Sequence, residues 1–469
     1  MKVHRASATS HGSHLHSRRD FMHVGGLSAL GYLISEASPF KSNSIKAAEG
    51  EKKTERTLTV ETPHEMRFLT PDGTDPEISV INIDLKGGLS QADTFDWKPN
   101  SPFKLIPTSA SKNGVFVTEP LWPLANQMDE ILIVNNMRHG YPNHDQASAL
   151  MYTQFPDQVG TSFNDKPTHD SPQVEFARFL DHLGSKSIGY VVSHSCTPRL
   201  EIDEKGNIKP VEPYKWPFCG THYNHDETIY IPINYETGEL DLEIGGEKID
   251  KETLQRRQEL LEKLEEFGIH FAGLPIERWQ KHKSKIDNIL GGEFFEALDL
   301  KQEPLEVRER YGFNYFANQL LGARRLVERE VVRYVNVQVG DFDTHELAKK
   351  NLWVLLPPVA KAISALLWDI KRLGLKVAVP FLTEFGRKIE FNPYGGREHW
   401  SEGFSVAFAG YGIEGGRKIG KTNGKSEVLG EANDARNLQD TIFDLMKIGR
   451  FEVRNGQSTN NRFSFMKLS

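Results

Sequence analysis

Residues 314–339 read NYFANQLLGARRLVEREVVRYVNVQV, and this stretch decides the fold class. Asn314–Glu330 carries apolar residues at helical spacing on one side and polar residues on the other, the pattern of an amphipathic helix. It runs straight into Val331–Val339, a short β-branched run that suits a buried strand. The same unit recurs downstream, where the long helical pattern Leu352–Leu373 precedes the strand-like Leu375–Leu382 (LKVAVPFL). Working outward, Ser79–Leu85 (SVINIDL), Ile131–Val134, Gly189–Val192 and Phe404–Ala409 read as strands. Pro172–Leu183, Lys251–Phe267, Glu277–Leu298 and Leu438–Ile448 read as helices. Strands alternating with helices predict an α/β fold with a mainly parallel central sheet and helices on both faces. Between Cys196 and Leu242 the chain turns to Pro, Gly, Tyr and alternating β-formers, so a β or loop insertion is expected over about 196–245. No internal repeat is present.

The chain has 469 residues, 38% of them hydrophobic, enough for one large or two moderate cores. Its 57 basic and 64 acidic side chains leave a net charge of −7 with no basic stripe, which argues against a nucleic-acid partner. No run approaches the roughly 18 consecutive apolar residues of a membrane span. Cys196 and Cys219 are the two cysteines. They are too few for a disulfide scaffold or a Cys-rich zinc site, and the sequence leaves open a disulfide or two free thiols.

The N-terminus reads as an address. Ser17-Arg18-Arg19-Asp20-Phe21-Met22 matches a twin-arginine export pattern, the mildly apolar run from Phe21 to Ile34 suits its hydrophobic region, and Ser35-Glu36-Ala37 offers a small-x-small cleavage site. Residues 1–37 are therefore expected to be a signal peptide. Residues 38–75 are expected to be a polar linker, 76–450 the folded domain and 451–469 a C-terminal tail. The protein is expected in the periplasm or outside the cell, with the twin-arginine translocon as its partner during export.

In open α/β sheets ligands gather beyond the carboxyl ends of the strands. After Leu85 the chain reads Lys86-Gly87-Gly88-Leu89-Ser90-Gln91-Ala92-Asp93, where Ser90 offers a nucleophile or anion donor and Asp93 a metal ligand. After Val339 come Asp341-Phe342-Asp343-Thr344-His345-Glu346, and after Leu382 come Thr383-Glu384-Phe385-Gly386-Arg387. Gly396-Arg397-Glu398-His399-Trp400 precedes the strand at 404. Asp343, His345, Glu384 and His399 are thus expected at one sheet edge, a mixed carboxylate and imidazole set that suits zinc, manganese or another divalent ion such as calcium. Arg387 and Arg397 would face an anionic substrate. His139 and His144, beyond the Ile131 strand, are secondary candidates. Asp84 either points to the site or pairs with Lys86. The bland alternatives are a helix cap at Asp343 or Thr344 and a plain Glu384–Arg387 ion pair.

These motifs, in this order, resemble the bacterial domain-of-unknown-function family 1501 (DUF1501). The resemblance is carried by the twin-arginine leader, Gly87–Pro99, Ile133–His139, Gln319–Glu328, Asp343-Thr344-His345, Glu384–Arg387, Gly396–Trp400 and Phe404–Gly420, and spans most of residues 79–450. It implies kinship with the alkaline phosphatase and sulfatase superfamily, with a divalent-metal site at the strand ends. It also implies Asp343 and His345 as central ligands, His399 as the late histidine, Glu384 in place of an Asp-His pair and Ser90 nearest the nucleophile. The Cys-x-Pro-x-Arg nucleophile signature of sulfatases is absent after the first strand. Two functions follow as expectations. One is a metal-dependent hydrolase of phosphate or sulfate esters, acting on an anionic small molecule or a sulfated or phosphorylated glycan. The other is a non-catalytic protein that binds glycans or anions, or serves structurally, on a retained hydrolase fold.

Overall fold

The computed structural model describes residues 66–69, 76–153, 172–183, 185–196, 200–202, 208–210, 229–234, 237–244, 247–266, 289, 292–454 and 457–459. The export signal, most of the linker and Cys219 lie outside the described residues, as does the side chain of Cys196.

The principal sheet has eleven strands. Its main strands are β1 (Ser79–Leu85), β2 (Ile131–Arg138), β3 (Ile188–Cys196), β4 (Ile229–Pro232), β5 (Val332–Gly340), β6 (Val377–Leu382), β7 (Phe404–Gly410) and β8 (Arg417–Ile419). Their order across the sheet is β4-β3-β5-β1-β6-β7-β2-β8, with short strands Glu243–Ile244 and Glu247–Lys248 extending the β4 edge and Asn433–Asp434 pairing with β2. The run from β4 to β6 is parallel throughout, whereas β7 is antiparallel to both β6 and β2.

Helices cover both faces, as a mainly parallel sheet requires. Ile81, Ile83 and Leu85 of β1 point into one core, with Val335, Val337 and Val339 of β5. Val80 of β1 points into the other core, with Tyr334 of β5. The helices include α1 (His144–Thr153), α2 (Pro172–Leu183), α3 (Tyr315–Glu328), α4 (Ala348–Leu373) and α5 (Asn437–Leu445), and further helices span Lys251–Glu266, Glu293–Leu298 and Leu305–Tyr311. α3 and α4 pack on the first face and α1, α2 and α5 on the second. Asn314 caps α3, its side chain accepting from the Ala317 amide at 2.9 Å. α4 ends at Gly374, whose φ of 64° suits glycine. By length and composition α4 could cross a membrane, but most of it is buried against the sheet, as in a core helix.

The structure corrects two parts of the sequence reading and adds one element to it. Ile229–Pro232, expected within an insertion, is a strand of the central sheet, parallel to β3. Its Ile-Tyr-Ile run is short and the chain around it is turn-rich, so periodicity does not single it out. Met66–Leu69, expected as linker, pairs antiparallel with Gly449–Arg454, which overlaps the expected tail. Glu119–Glu130, unassigned in the sequence, is a 3-10 helical segment that lays Leu121, Leu124 and Met128 into the first core. Of the helix expected over Glu277–Leu298, the part Glu293–Leu298 is described as helix.

Candidate functional site

β1, β2, β5 and β6 all point their carboxyl ends to one edge, and antiparallel β7 begins there. That topology gathers Gly87, His144, Asp343 with His345, Glu384 with Arg387, and His399 from five separate segments. Lys86 N donates to Val339 O at 2.9 Å and Phe342 N to Lys86 O at 2.9 Å, so the chain stays zipped beyond the ends of β1 and β5. Gly87 permits this approach. Its φ is +109°, and a Cβ there would lie 2.3 Å from the Asp343 amide nitrogen.

Asp343 Oδ1 is the focus. His345 Nε2 lies 3.0 Å from it, His399 Nε2 3.1 Å and His144 Nε2 3.4 Å, and Arg387 Nη2 also bonds to it. Each imidazole is held from behind. His144 Nδ1 faces Glu384 Oε1 at 2.7 Å, His345 Nδ1 faces Glu398 Oε2 at 3.0 Å, and His399 Nδ1 faces the Pro142 carbonyl at 2.7 Å. All three partners are acceptors, so in the neutral rings each Nδ1 carries the proton and each Nε2 presents a lone pair. This is the way protein imidazoles are fixed behind a metal ion.

The donors fit a cation. His144 Nε2 is buried and, among the described residues, makes no hydrogen bond of good geometry. His345 Nε2 and His399 Nε2 sit 2.9 Å apart, where two facing lone pairs require a proton or a metal between or beside them. The ligand atoms of His144, Asp343 and His399 all lie within 4.8 Å of one another.

Charge follows the same arrangement. Burial pulls the His144 pKa down, but the facing Asp343 and Glu384 carboxylates outweigh it and hold the group at about 9. Burial pushes Asp343 up, yet the three histidines that face it and the Arg387 charge hold its carboxyl far below the usual range. Burial likewise opposes ionisation of Glu384, but His144 and then Lys86 bring it to about 2.

Several residues take parts other than those expected from sequence. Glu384, expected as a ligand, stands behind His144, where Oε1 also accepts from Gly87 N at 2.8 Å. Arg387, expected to face substrate, is fully buried and donates to Gly87 O, Gly88 O, Arg397 O and Asp343. Arg397 is buried too, its guanidinium gripping Asp93 at 2.8 and 3.0 Å and resting 3.9 Å from the Phe391 ring centre. Asp93 accepts further from Ser90 Oγ at 2.7 Å and Ser101 Oγ at 2.8 Å. Ser90, Asp93 and Arg397 thus form an internal knot, with no free nucleophile, ligand or anion clamp among them. Asp84 pairs with Lys86 at 3.2 Å.

His139 is structural, its Nε2 reaching the Glu384 carbonyl at 2.6 Å while Nδ1 accepts from Tyr141 N at 3.1 Å. His144 does join the centre. Its available signals were its place beyond a strand and the preceding Asn143, whose Oδ1 accepts from the Asp145 amide at 3.0 Å as a helix cap.

The fold and site define a class: an α/β protein with a mainly parallel central sheet and a His/Asp cluster at its carboxyl edge. Within it, residues 240–454 match the model of the family described as "Protein of unknown function (DUF1501)". Comparison with curated proteins gives no match.

Among solved structures, the chain is similar to Ps i-CgsB in complex with k-i-k-neocarrahexaose, at 11% identity and TM-score 0.36, over 79% of this chain and 72% of that one. It is similar to the BT33494S-sulf structure, concerned with glycosaminoglycan metabolism by Bacteroides thetaiotaomicron, at 11% identity and TM-score 0.33, over 79% and 73%. It is also similar to BT4656 in complex with its substrate D-glucosamine-2-N,6-O-disulfate, at 11% identity and TM-score 0.34, over 82% and 79%. Likeness of this size adds nothing to the geometry above.

Proposed function

We propose that this chain is an exported, metal-dependent hydrolase-like protein acting on phosphate or sulfate esters, with His144, Asp343 and His399 holding the ion and His345 at its side. The observation that carries the reading is that three imidazoles, each tied at Nδ1, turn Nε2 toward one carboxylate oxygen. The imidazole-rich set favours zinc or manganese over calcium, which prefers oxygen ligands. A divalent ion held there supplies Lewis-acid chemistry to an ester oxygen. The ester class and the export route rest on the motif order and the twin-arginine leader.

The chain's own residues do the remaining work. Glu384 and Glu398 fix two rings. Arg387 holds Asp343 ionised and the Gly87–Gly88 turn closed. His345 is the most exposed of the three rings, at 38%. Ser90 is 1% exposed and bonded to Asp93, which disfavours a serine nucleophile.

The test is metal analysis of the purified chain with turnover of aryl phosphates and aryl sulfates. One ion per chain, with hydrolysis lost in His399→Ala, supports the reading. A metal-free protein inert to both substrate classes contradicts it. The engagement of Ser90, Arg387 and Arg397 within the protein favours the second reading, binding without turnover. That reading predicts an ion and oxyanion binding but no hydrolysis.

A further inference from the structure

Beside the His/Asp cluster lies a lysine that the reading above does not use. Strand alternation puts Asn82 and Asp84 of β1 on the face beneath α1, and Lys86, just beyond the strand, reaches the same helix. Its Nζ lies 3.0 Å from Ser148 Oγ, 3.2 Å from Asp84 Oδ2 and 5.1 Å from the centre of the Tyr152 ring. Tyr152 OH donates to the same Asp84 oxygen at 2.6 Å. Asp84 is fully buried, and its other oxygen, Oδ1, has no hydrogen-bond partner among the described residues. Ser148 follows His144 by one helical turn, about 6 Å between Cβ atoms. The Lys86 charge also acts on the Glu384 and Asp145 carboxylates. One ammonium thus stands against the Asp84 carboxylate and the Ser148 hydroxyl, with the Tyr152 hydroxyl on the same carboxylate oxygen, next to a cluster suited to a divalent ion.

We propose that Lys86 is a built-in second cation of this site: its ammonium fills an oxygen-lined position, so the centre takes one divalent ion, and shortening Lys86 opens that position to a second. The oxygens bonded to Nζ are those of a carboxylate and a hydroxyl, a chemistry that suits hard ions such as manganese, magnesium or calcium. With the ammonium in place, both its charge and its volume exclude such an ion. The substitution has a chemical consequence. An ammonium offers N–H donors to an anionic oxygen but no vacant coordination position. The side chain is 12% exposed. The proposal rests on the metal-centre reading only for the count of the first ion.

The test counts ions. The full chain is stripped with chelator, equilibrated with excess Mn2+ and analysed by mass spectrometry of the metal. Wild type is expected to hold one equivalent, Lys86→Ser two, and Asp84→Asn/Lys86→Ser one again. Two equivalents in wild type, or no gain in Lys86→Ser, overturns the proposal. The readout is a difference, so zero in wild type with one in Lys86→Ser would refute the histidine centre and still support the role of Lys86. Should Lys86→Ser fail to fold, Lys86→Met keeps the length and removes the charge. It is expected to lower the thermal midpoint by several degrees, and Asp84→Asn in the same chain to restore most of the loss. Absence of that rescue overturns the proposal.

Discussion

Replacing Glu384 by Gln separates a residue that orients a ligand from one that binds the ion. Glu384 is 1% exposed, and its Oε1 receives His144 Nδ1 at 2.7 Å and Gly87 N at 2.8 Å. A glutamine keeps the shape and an acceptor for both donors but removes the charge. Hydrogen bonds to a charged partner contribute about 1.5–3 kcal/mol and those to a neutral one about 0.5–1.5, so the change costs about 1–2 kcal/mol in the hold on His144. Passed on to the ion, that is a loss of about 5–30-fold in metal affinity, which overlaps the lower part of the range of about 10–100-fold seen when partners behind ligating histidines are removed. The assay is competition against a chromophoric chelator at neutral pH, with circular dichroism to show that Glu384→Gln remains folded. Affinity within twofold of wild type would refute the orienting role. A loss beyond about a thousandfold would show that Glu384 itself ligates, since removing an outer partner costs about 10–100-fold.

Other outcomes follow from the same contacts. Arg397→Met leaves the buried Asp93 carboxylate without its cation, which should cost about 3–5 kcal/mol of stability, read as a lower thermal midpoint, with metal affinity unchanged in the folded fraction. A large loss of metal affinity with stability intact would place Arg397 in the site after all. Gly87→Ala puts a Cβ 2.3 Å from the Asp343 amide at a φ of +109°, and should reduce both thermal stability and metal affinity. A variant equal to wild type in both would show that the turn relaxes freely. In chelator, His144 contributes stability that is full below about pH 6.5 and is lost as pH rises through about 9, because its folded pKa is the higher one. Glu384 contributes stability that is full above about pH 4.5 and is lost as pH falls through about 2. The two shifts largely report one interaction, so the alkaline loss has a ceiling of about 3 kcal/mol. Saturating metal should abolish the alkaline decline in thermal midpoint, and a decline identical with and without metal would contradict the assignment of His144.

The α/β class was legible because it is written in period and length. NYFANQLLGARRLVERE is too long and too evenly spaced for a strand, and VVRYVNVQV too short and β-branched for a buried helix. The sheet edge carrying the site followed from the rule that parallel strands gather loops at their carboxyl ends, which brought Asp343, His345, Glu384 and His399 into view together. What the sequence withheld was direction. Whether a loop carboxylate faces an ion, an imidazole or a guanidinium depends on contacts across hundreds of residues, such as Arg397 with Asp93 or Glu384 with His144. Residue type alone made Asp93 a ligand and Arg397 an anion clamp, while burial at 0% exposure makes them partners of each other. Ile229–Pro232 was missed for the opposite reason, being too short for its period to stand out from the turns around it.

The most direct test is anomalous diffraction from crystals of the protein grown with zinc, with data collected on either side of the zinc edge. A single peak about 2.0–2.2 Å from His144 Nε2, His399 Nε2 and an Asp343 carboxylate oxygen is the expected result. Well-ordered rings at the same positions with no anomalous signal among them would contradict the assignment of a metal centre.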